Sequence, residues 1–289
     1  MEQAGAFGPW SGRTVIVTGS TKGIGRATAE LFGADGAHVI VHGRDAEQAA
    51  DVVGGIEAGG GAADAVILDL RDAGAAQELI DRAVAVSGRI DVLVSNAGAN
   101  VFRGTLAATV ADWDDCLNLD LRAVWLCAKA AAGVMRPGSA IVNVSSNHAS
   151  STLPGTFPYN VAKAGVLALT QSLAIELAPR GIRANAVCPG YIDTPINDAY
   201  FATFGDPAAA RKAAEMLHPV GRIGTADEVA RAIRFLASDA DSGFTTGSTL
   251  TLDGGRSALM QDPDPSGVDG PGAGHQGRCR GRRRGEALP

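Results

Sequence analysis

The sequence holds little of what marks secreted, metal-binding or membrane-spanning proteins. Cysteine occurs four times in 289 residues, and no pair has CxxC or Cys/His zinc spacing. Apolar runs stay short of the roughly 20 residues that a membrane-spanning helix needs. The stretch MEQAGAFGPWSGR has neither the basic start nor the apolar centre of a signal peptide. We therefore expect a cytoplasmic protein with buried thiols, without a metal site and without a membrane partner.

Aromatic side chains and positive charge are scarce as well. Aromatics make up 5% of the residues, and the formal net charge is −6. An acidic protein has no general attraction for nucleic acid, so a phosphate-bearing ligand needs a local cationic site. The exception is the run RCRGRRR in segment 257–289, which is rich in Gly, Pro and Arg. We predict that this segment is disordered, with contact to RNA or DNA as the less favoured reading, and that 1–11 is a leader.

The sequence does contain a regular alternation of short apolar runs and longer amphipathic stretches over residues 12–256. Strands are predicted over Thr14–Thr18, His38–His42, Ala65–Leu68, Asp91–Ser95, Ala140–Val144, Arg183–Val187 and Ser248–Leu252. Helices are predicted over Ile24–Ala34, Ala46–Ala58, Ala73–Ser87, Ala111–Met135, Tyr159–Ala178 and Thr225–Ser238. The pattern predicts an α/β domain: a single Rossmann-type doubly wound parallel sheet of about seven strands with helices on both faces. Residues 195–219 do not continue this alternation and are interpreted as a substrate lid, with an ordinary surface segment as the alternative.

A glycine-rich loop follows the first predicted strand in TVIVTGSTKGIG. Glycines allow a tight turn and close approach of a pyrophosphate, and the next helix offers unpaired N–H groups at its start. The predicted loop contacts to a dinucleotide are Gly19, Ser20, Thr21, Lys22, Gly23, Ile24 and Gly25.

The end of the second strand reads His42-Gly43-Arg44 and carries no acid to hold ribose hydroxyls. Asp45 follows and is expected to cap the next helix. Arg44 and Lys22 suit a 2′-phosphate, so NADP(H) is favoured and NAD(H) stays an alternative.

A Tyr and a Lys open a later predicted helix, in Tyr159-Asn160-Val161-Ala162-Lys163. Positions i and i+4 share a helix face, and a nearby ammonium lowers the pKa of a phenol toward the range of a proton shuttle. Ser146 follows a buried strand, where its hydroxyl could bond a reacting oxygen.

The motifs TGSTKGIG, SNAG, Ser146, YNVAK, PGYIDT and TLDGG occur in the order of the short-chain dehydrogenase/reductase family. The chain resembles that family from about Trp10 to Arg256. The resemblance implies that Tyr159 is the general acid/base, that Lys163 binds the nicotinamide ribose and lowers the Tyr pKa, and that Ser146 polarises the carbonyl. The other implied cofactor contacts are Asp69, Leu70, Asn96, Ala97, Gly98, Pro189, Gly190, Ile192 and Thr194.

One position departs from the family pattern. The usual catalytic Asn, which holds a water behind the Lys, falls on Asp120 in LDLRA. We predict that Asp120 substitutes in this proton relay and adds a charge.

The substrate is less well indicated. A polar segment from Asn147 follows the catalytic Ser, so Asn100, His148 and Tyr191 are candidate substrate contacts and a sugar or polyol is favoured. His148 as a plain loop histidine is the alternative. The Ser146/His148 pair is also similar to that of bacterial glucose dehydrogenases. A 3-oxoacyl-(acyl-carrier-protein) reductase is the main rival, and a non-catalytic NADP(H) sensor is a weaker one because Tyr159, Lys163 and Ser146 are all present.

Two predicted helices, Ala111–Met135 and Tyr159–Ala178, carry apolar residues on more than one face. We expect them to pair with another subunit, as they do in family relatives, in a homotetramer or homodimer.

Overall fold

The computed structural model describes residues 8–259, and the predictions for residues 1–7 and 260–289, including nearly all of the Arg-rich tail, lie outside them. The strands are β1 (Thr14–Val17), β2 (His38–Gly43), β3 (Ala62–Ile67), β4 (Val92–Ser95), β5 (Ala140–Val144), β6 (Arg183–Pro189), β7 (Ile192–Asp193), β8 (Gly224–Thr225) and β9 (Thr249–Leu252). The helices are α1 (Gly23–Ala34), α2 (Ala46–Ala58), α3 (Ala75–Ser87), α4 (Val110–Leu117), α5 (Ala123–Ala132), α6 (Tyr159–Leu177), α7 (Pro195–Phe201), α8 (Pro207–Met216), α9 (Ala226–Ala237) and α10 (Asp239–Ser242).

Seven strands form one sheet in the order β3-β2-β1-β4-β5-β6-β9, and every pairing is parallel. The chain steps outward on one side from β1 to β3 and then returns to place β4 on the other side of β1. The loops after β1 and β4 therefore separate at the carboxyl edge and leave a crevice there. The predicted doubly wound α/β fold is confirmed.

Alternate residues of the strands build two apolar layers. Ile16, Leu93 and Ile141 belong to the layer that includes α3 and α5, whereas Val15 and Val94 belong to the layer that includes α1, α2 and α9. Successive side chains of a strand point to opposite faces, so continuous Val/Ile runs supply both layers at once.

The predicted continuous helix over Ala111–Met135 is wrong in one respect. Its backbone widens to a π-helical turn over Asn118–Arg122, between α4 and α5, and regular helix ends at Ala132. A π turn adds a residue to the hydrogen-bonded loop and rotates the side chains that follow it, and such turns are frequent at functional sites. Asp120 lies in this turn and is fully buried.

The remaining differences lie at element ends and in small elements. Strand β3 starts at Ala62, because its ladder with β2 already pairs His38 with Ala62, although the segment's alanines carry little strand signal. Residues 195–219 fold into α7 and α8, beside a two-stranded ladder of β7 and β8 that was not predicted. The predicted cap is confirmed, since the Asp45 carboxylate accepts from the N–H groups of Glu47 and Gln48.

One segment of the described chain, Tyr159–Arg180, is long and apolar enough to cross a membrane by length and composition alone. It packs against β6 and contributes Ala174 and Leu177 to an apolar layer of the sheet. We therefore assign it to the core. Three cysteines of the described residues, Cys116, Cys127 and Cys188, are buried and unbridged, as predicted, and burial raises the pKa of Cys116 and Cys127 to about 12.

Arg183 joins β6 to the far end of α9. Its buried guanidinium donates to the carbonyls of Leu236 and Ala237, the last residues of α9, at 2.8 and 3.1 Å, and to the Ser242 hydroxyl at 3.2 Å. A helix end leaves such carbonyls without partners within the helix, so this side chain acts as a cap held by the sheet.

Replacing Arg183 with Met should therefore lower the free energy of unfolding by about 2–4 kcal/mol, because buried acceptors lose a charged donor. Denaturant unfolding measures this. The control is R231M, which changes an exposed Arg on α9 and should shift the free energy of unfolding by less than about 0.5 kcal/mol. Equal losses in the two variants would contradict the capping role.

Candidate active site

A cavity of about 670 Å³ opens at the carboxyl edge of the sheet. It gathers side chains from the ends of β1, β2, β4, β5 and β6 and from the start of α6. The predicted site residues that line it are Gly19, Thr21, Lys22, Gly23, Ile24, Arg44, Asp69, Leu70, Asn96, Ala97, Gly98, Asn100, Asp120, Ser146, His148, Tyr159, Lys163, Pro189, Gly190, Tyr191, Ile192 and Thr194.

Two predicted loop contacts, Ser20 and Gly25, do not line the cavity. Ser20 is fully buried, and its hydroxyl oxygen accepts from the His42 backbone N–H at 2.9 Å. A Cβ at Gly25 would lie 2.3 Å from the Gly19 carbonyl oxygen, so a side chain there would push the loop apart. Both residues therefore support the conformation of the glycine loop without lining the cavity.

Asn96 ties the loops after β1 and β4 together across the crevice. Its side-chain amide donates to the carbonyls of Thr18 and Gly19 at 3.0 Å each, and its backbone N–H donates to the Thr18 hydroxyl at 2.9 Å. The loop itself turns through positive φ angles of 63° at Gly19 and 53° at Gly23. These contacts hold open a backbone cradle at the start of α1 that fits a pyrophosphate.

His42 is a loop-supporting residue that the sequence reasoning missed. Its Nδ1 accepts from the Gly19 backbone N–H at 3.1 Å, and burial lowers the pKa of His42 to about 4. The ring therefore stays neutral and serves as an acceptor. The only sequence signal was a polar residue at the end of an otherwise apolar strand.

The outer end of the cavity carries the residues predicted to distinguish the two dinucleotides. A Cβ at Gly43 would lie 2.5 Å from the Thr21 methyl carbon, so a side chain at position 43 would have to displace that of Thr21. The Arg44 side chain is 65% exposed, and its Nη1 lies 3.4 Å from the Asp69 carboxylate. Lys22 is exposed on the same rim. These cavity residues fit a dinucleotide cofactor.

Lys163 lies at the inner end of the cavity. Its Nζ is 3.0 Å from Asp120 Oδ1, donates to the Val144 carbonyl at 3.3 Å and stands 5.5 Å from the centre of the Tyr159 ring. An ammonium has three donors, so one remains for a ligand hydroxyl. Burial works to lower the pKa of Lys163, but the charges of Asp120 and Tyr159 raise it above its ordinary value, which keeps the lysine protonated.

Asp120 is held by two partners. Its carboxylate accepts from the Ala99 backbone N–H at 3.2 Å and contacts Lys163 Nζ at 3.0 Å. A Cβ at Gly98 would lie 2.5 Å from Asp120 Oδ1, so only glycine leaves space for this carboxylate. Burial raises the pKa of Asp120, while Lys163 acts to lower it.

Tyr159 stands between Lys163 and Ser146. Burial raises the pKa of its phenol, and Asp120 adds to the rise, whereas the Lys163 ammonium and the Ser146 hydroxyl act to lower it. The lowering by Lys163 that the sequence predicts is thus present, but burial outweighs it. Ser146 Oγ also accepts from the His148 backbone N–H at 3.2 Å, which fixes the start of the short helix over Asn147–Ala149.

The mouth of the cavity above Tyr159 is more aromatic than the sequence reasoning predicted. Phe102 and Tyr200 line it together with the predicted His148 and Tyr191, and Arg256 stands beside them. Phe102 is placed there by an isolated β-bridge to Pro158, the residue before α6. A bridge between distant segments has no local sequence signal, and Arg256 was taken as the end of the domain.

A family model described as enoyl-(acyl carrier protein) reductase matches residues 19–257. The 3beta-hydroxysteroid dehydrogenase 1 of Eggerthella lenta is 42% identical over 249 residues, 84% of this chain and 93% of the relative. The cis-4-hydroxycyclohexanecarboxylate dehydrogenase of Sinomonas cyclohexanicum is 42% identical over 250 residues, 86% and 97% of the two chains. The 3-oxoacyl-(acyl-carrier-protein) reductase FabG of Thermotoga maritima is 38% identical over 247 residues, 84% and 97%.

Solved structures agree with this assignment. The aldohexose dehydrogenase of Thermoplasma acidophilum superimposes with a TM-score of 0.80 at 32% identity, over 90% of this chain and all of the other. A short-chain dehydrogenase of Burkholderia cenocepacia in complex with NADP gives a TM-score of 0.79 at 36% identity, over 85% and 98%. The chain therefore belongs to the short-chain dehydrogenase/reductase family, as its motifs predicted.

Proposed function

We propose that this oxidoreductase prefers NADP(H) and interconverts a secondary alcohol and a carbonyl on a small hydroxylated molecule, with Tyr159, Lys163 and Ser146 at the reaction. The observation that carries the proposal is the convergence of these side chains with the glycine loop in one cavity. In the oxidation direction the Tyr159 phenolate takes the hydroxyl proton, and the Ser146 hydroxyl donates to the same substrate oxygen. Bound nicotinamide supplies the acceptor or donor of the hydride.

Lys163 has two tasks in this scheme. Its remaining donor holds a cofactor hydroxyl, and its charge favours the Tyr159 phenolate against the effect of burial. Asp120 keeps the ammonium in place through the 3.0 Å contact to its Nζ. The Asp120 charge also opposes phenolate formation, so in this chain proton transfer from the alcohol should need a higher pH than an Asn at this position would require.

The preference for NADP(H) rests on the rim of the cavity. Lys22 and Arg44 present two cations where position 43, a glycine, carries no carboxylate, and a 2′-phosphate offers them charge-assisted hydrogen bonds. The carboxylate of Asp45, which also borders the cavity, is engaged by two backbone N–H groups of α2. The NADP bound to the Burkholderia relative is consistent with this preference.

The substrate is proposed to be a sugar, a polyol or another hydroxylated small molecule such as a carbocyclic alcohol. Sugars and polyols stay the first class to test, and the aldohexose dehydrogenase relative supports them. Several polar groups of the segment after Ser146 hydrogen-bond to one another. His148 Nδ1 lies 3.3 Å from the Thr152 hydroxyl, and the Thr152 hydroxyl in turn hydrogen-bonds to the Thr156 hydroxyl. The two relatives at 42% identity are named for a steroid alcohol and a cyclohexane alcohol. The aromatic mouth suits such carbocycles.

A 3-oxoacyl-(acyl-carrier-protein) reductase is the second candidate, supported by the FabG relative at 38% identity. It needs a cationic patch for the carrier protein, and Arg103, Arg122 and Arg136 are the candidates for that patch. Two of these guanidiniums are engaged within the chain, since Arg103 pairs with Asp112 and Arg122 donates to the carbonyl of Arg71. This weighs against the reductase. A non-catalytic NADP(H) sensor is less favoured still, because the catalytic side chains converge.

We also propose a cytoplasmic homotetramer or homodimer that uses α4, α5 and α6. Trp125 on α5 and Ile175 on α6 are 45% and 76% exposed, which is apolar surface that a second subunit could cover.

The direct test offers NADP⁺ and NAD⁺ with sugars, polyols, cyclohexanols and hydroxysteroids, and NADPH with acetoacetyl thioesters. Turnover of ring alcohols with NADP⁺ is expected. Reduction of thioesters without oxidation of any alcohol would favour the second candidate, and tight NADPH binding without any turnover would favour the sensor.

Replacing Asp120 with Asn should move the acidic limb of the kcat/KM profile for alcohol oxidation to lower pH. The substitution removes a negative charge that raises the pKa of Tyr159, so the phenolate forms at lower pH. Turnover on the alkaline plateau should stay within about threefold, because an amide oxygen still accepts from the Ala99 N–H. Steady-state rates between acidic and alkaline pH measure both quantities.

The control for charge is D114N, which removes an exposed carboxylate from the preceding helix α4 and should leave the limb in place. A limb that stays fixed or moves to higher pH in D120N would contradict the electrostatic role of Asp120.

Replacing Arg44 with Gln should raise the KM for NADP⁺ about 10- to 100-fold while the KM for NAD⁺ changes less than about threefold, since only NADP⁺ carries the extra phosphate. Initial rates at saturating alcohol give both constants. Arg136 is exposed and does not line the cavity, so R136Q is the matched control. An equal effect of R44Q on the two cofactors would remove the basis for the NADP(H) preference.

A further inference from the structure

The mouth of the cavity above the reacting phenol is walled by aromatic rings. Phe102 lies edge-on to Tyr159 with ring centres 5.2 Å apart, and Tyr200 lies 6.2 Å from Phe102. Tyr191 stacks on Tyr200 with ring centres 6.4 Å apart, and His148 lies edge-on to Tyr159 with ring centres 6.1 Å apart. Flat apolar walls of this kind favour a compact ring over a flexible chain, because a rigid ring fills the space with little loss of conformational freedom.

One cation stands at the outer edge of this wall. The guanidinium carbon of Arg256 lies 4.9 Å from the centre of the Tyr191 ring, and the residue is half-buried. No carboxylate of residues 8–259 lies within 4.0 Å of its nitrogens. Its charge also reaches the substrate side of the cavity, since it adds to the burial that lowers the pKa of His148.

The backbone holds Arg256 in this place. The neighbouring Asp253 carboxylate accepts from the backbone N–H groups of Gly255 and Ser257 at 3.1 and 2.7 Å. Gly254 and Gly255 turn through positive φ angles of 59° and 86°, which other residues rarely adopt. The Asp253 carboxylate is therefore engaged by backbone N–H groups of this turn, and the Arg256 guanidinium faces the cavity.

We infer that Arg256 binds a carboxylate of the substrate, so that the protein acts on a carbocyclic hydroxy acid and its oxo acid rather than on a neutral sugar. The reacting carbon lies at Tyr159, the ring lies along Phe102 and Tyr200, and the carboxylate lies at Arg256, at the end of the ring away from the reaction. A guanidinium binds a carboxylate through two parallel N–H···O bonds, which suits one anionic group at a defined distance. This inference rests on the proposed function and adds the substrate class to it.

The test compares 4-oxocyclohexanecarboxylate with its primary amide as substrates for reduction with NADPH. The two molecules share size and ring and differ in charge. The wild-type protein should prefer the acid by about 10- to 100-fold in kcat/KM. In R256Q the acid should lose that factor while the amide changes less than about threefold, and R256K should retain part of the preference.

A second measurement does not depend on turnover of either ketone. Cyclohexanecarboxylate should compete with a neutral ring ketone, and its inhibition constant should rise in R256Q by the same factor as the loss in acid turnover. R231Q, which removes an exposed arginine of α9, is the matched control and should behave as wild type. Thermal unfolding and NADPH titration of R256Q should match the wild type.

The outcomes separate this inference from the proposed function. Turnover of neutral ring ketones without any preference for the acid overturns the role of Arg256 and leaves the oxidoreductase assignment intact. Equal losses on acid and amide in R256Q also overturn it, because Arg256 then acts only through shape. Failure to reduce any ring ketone removes the proposed substrate class and this inference with it.

Discussion

The buried ion pair between Lys163 and Asp120 joins four parts of the fold at the point where chemistry is expected. The ammonium contacts the carboxylate at 3.0 Å and the end of β5 through the Val144 carbonyl, and the carboxylate accepts from Ala99 after β4. Two opposite charges removed from water are stable only when their remaining hydrogen bonds are met, and here backbone groups meet them except for the third Lys163 donor, which is left for a ligand. The pair thereby fixes the position of Lys163 relative to Tyr159, one helical turn earlier on α6.

The same constraint explains local features that otherwise look unrelated. Gly98 must lack a side chain because Asp120 occupies the space beside it. The π turn over Asn118–Arg122 carries Asp120 inward from a helix that would otherwise continue regularly. The protonated lysine and the buried phenol then form one coupled unit, in which burial, the ammonium and the carboxylate each shift the pKa of Tyr159. A charge change at position 120 should consequently alter the pH dependence of proton transfer.

The sequence predicted the parts of this arrangement that follow from periodicity and spacing. The sheet followed from the alternation of strands and helices, and the pairing of Tyr159 with Lys163 followed from their i, i+4 spacing on a helix. Contacts made across the fold had no such signal. The π turn is a change in backbone hydrogen bonding, Phe102 is placed by a bridge to Pro158, and Arg256 enters the cavity through a turn beyond the last strand. Asp120 was recognised only because the chain resembles a family with a different residue there.

The central claim is that the Tyr159 phenol transfers the proton while the nicotinamide exchanges the hydride. Replacing Tyr159 with Phe tests it most directly, with R231Q as the control because Arg231 is exposed on α9 and does not line the cavity. We expect kcat to fall about 10³-fold in Y159F, while NADPH affinity and the kcat of R231Q stay near the wild-type values. Full hydride transfer by Y159F would contradict it.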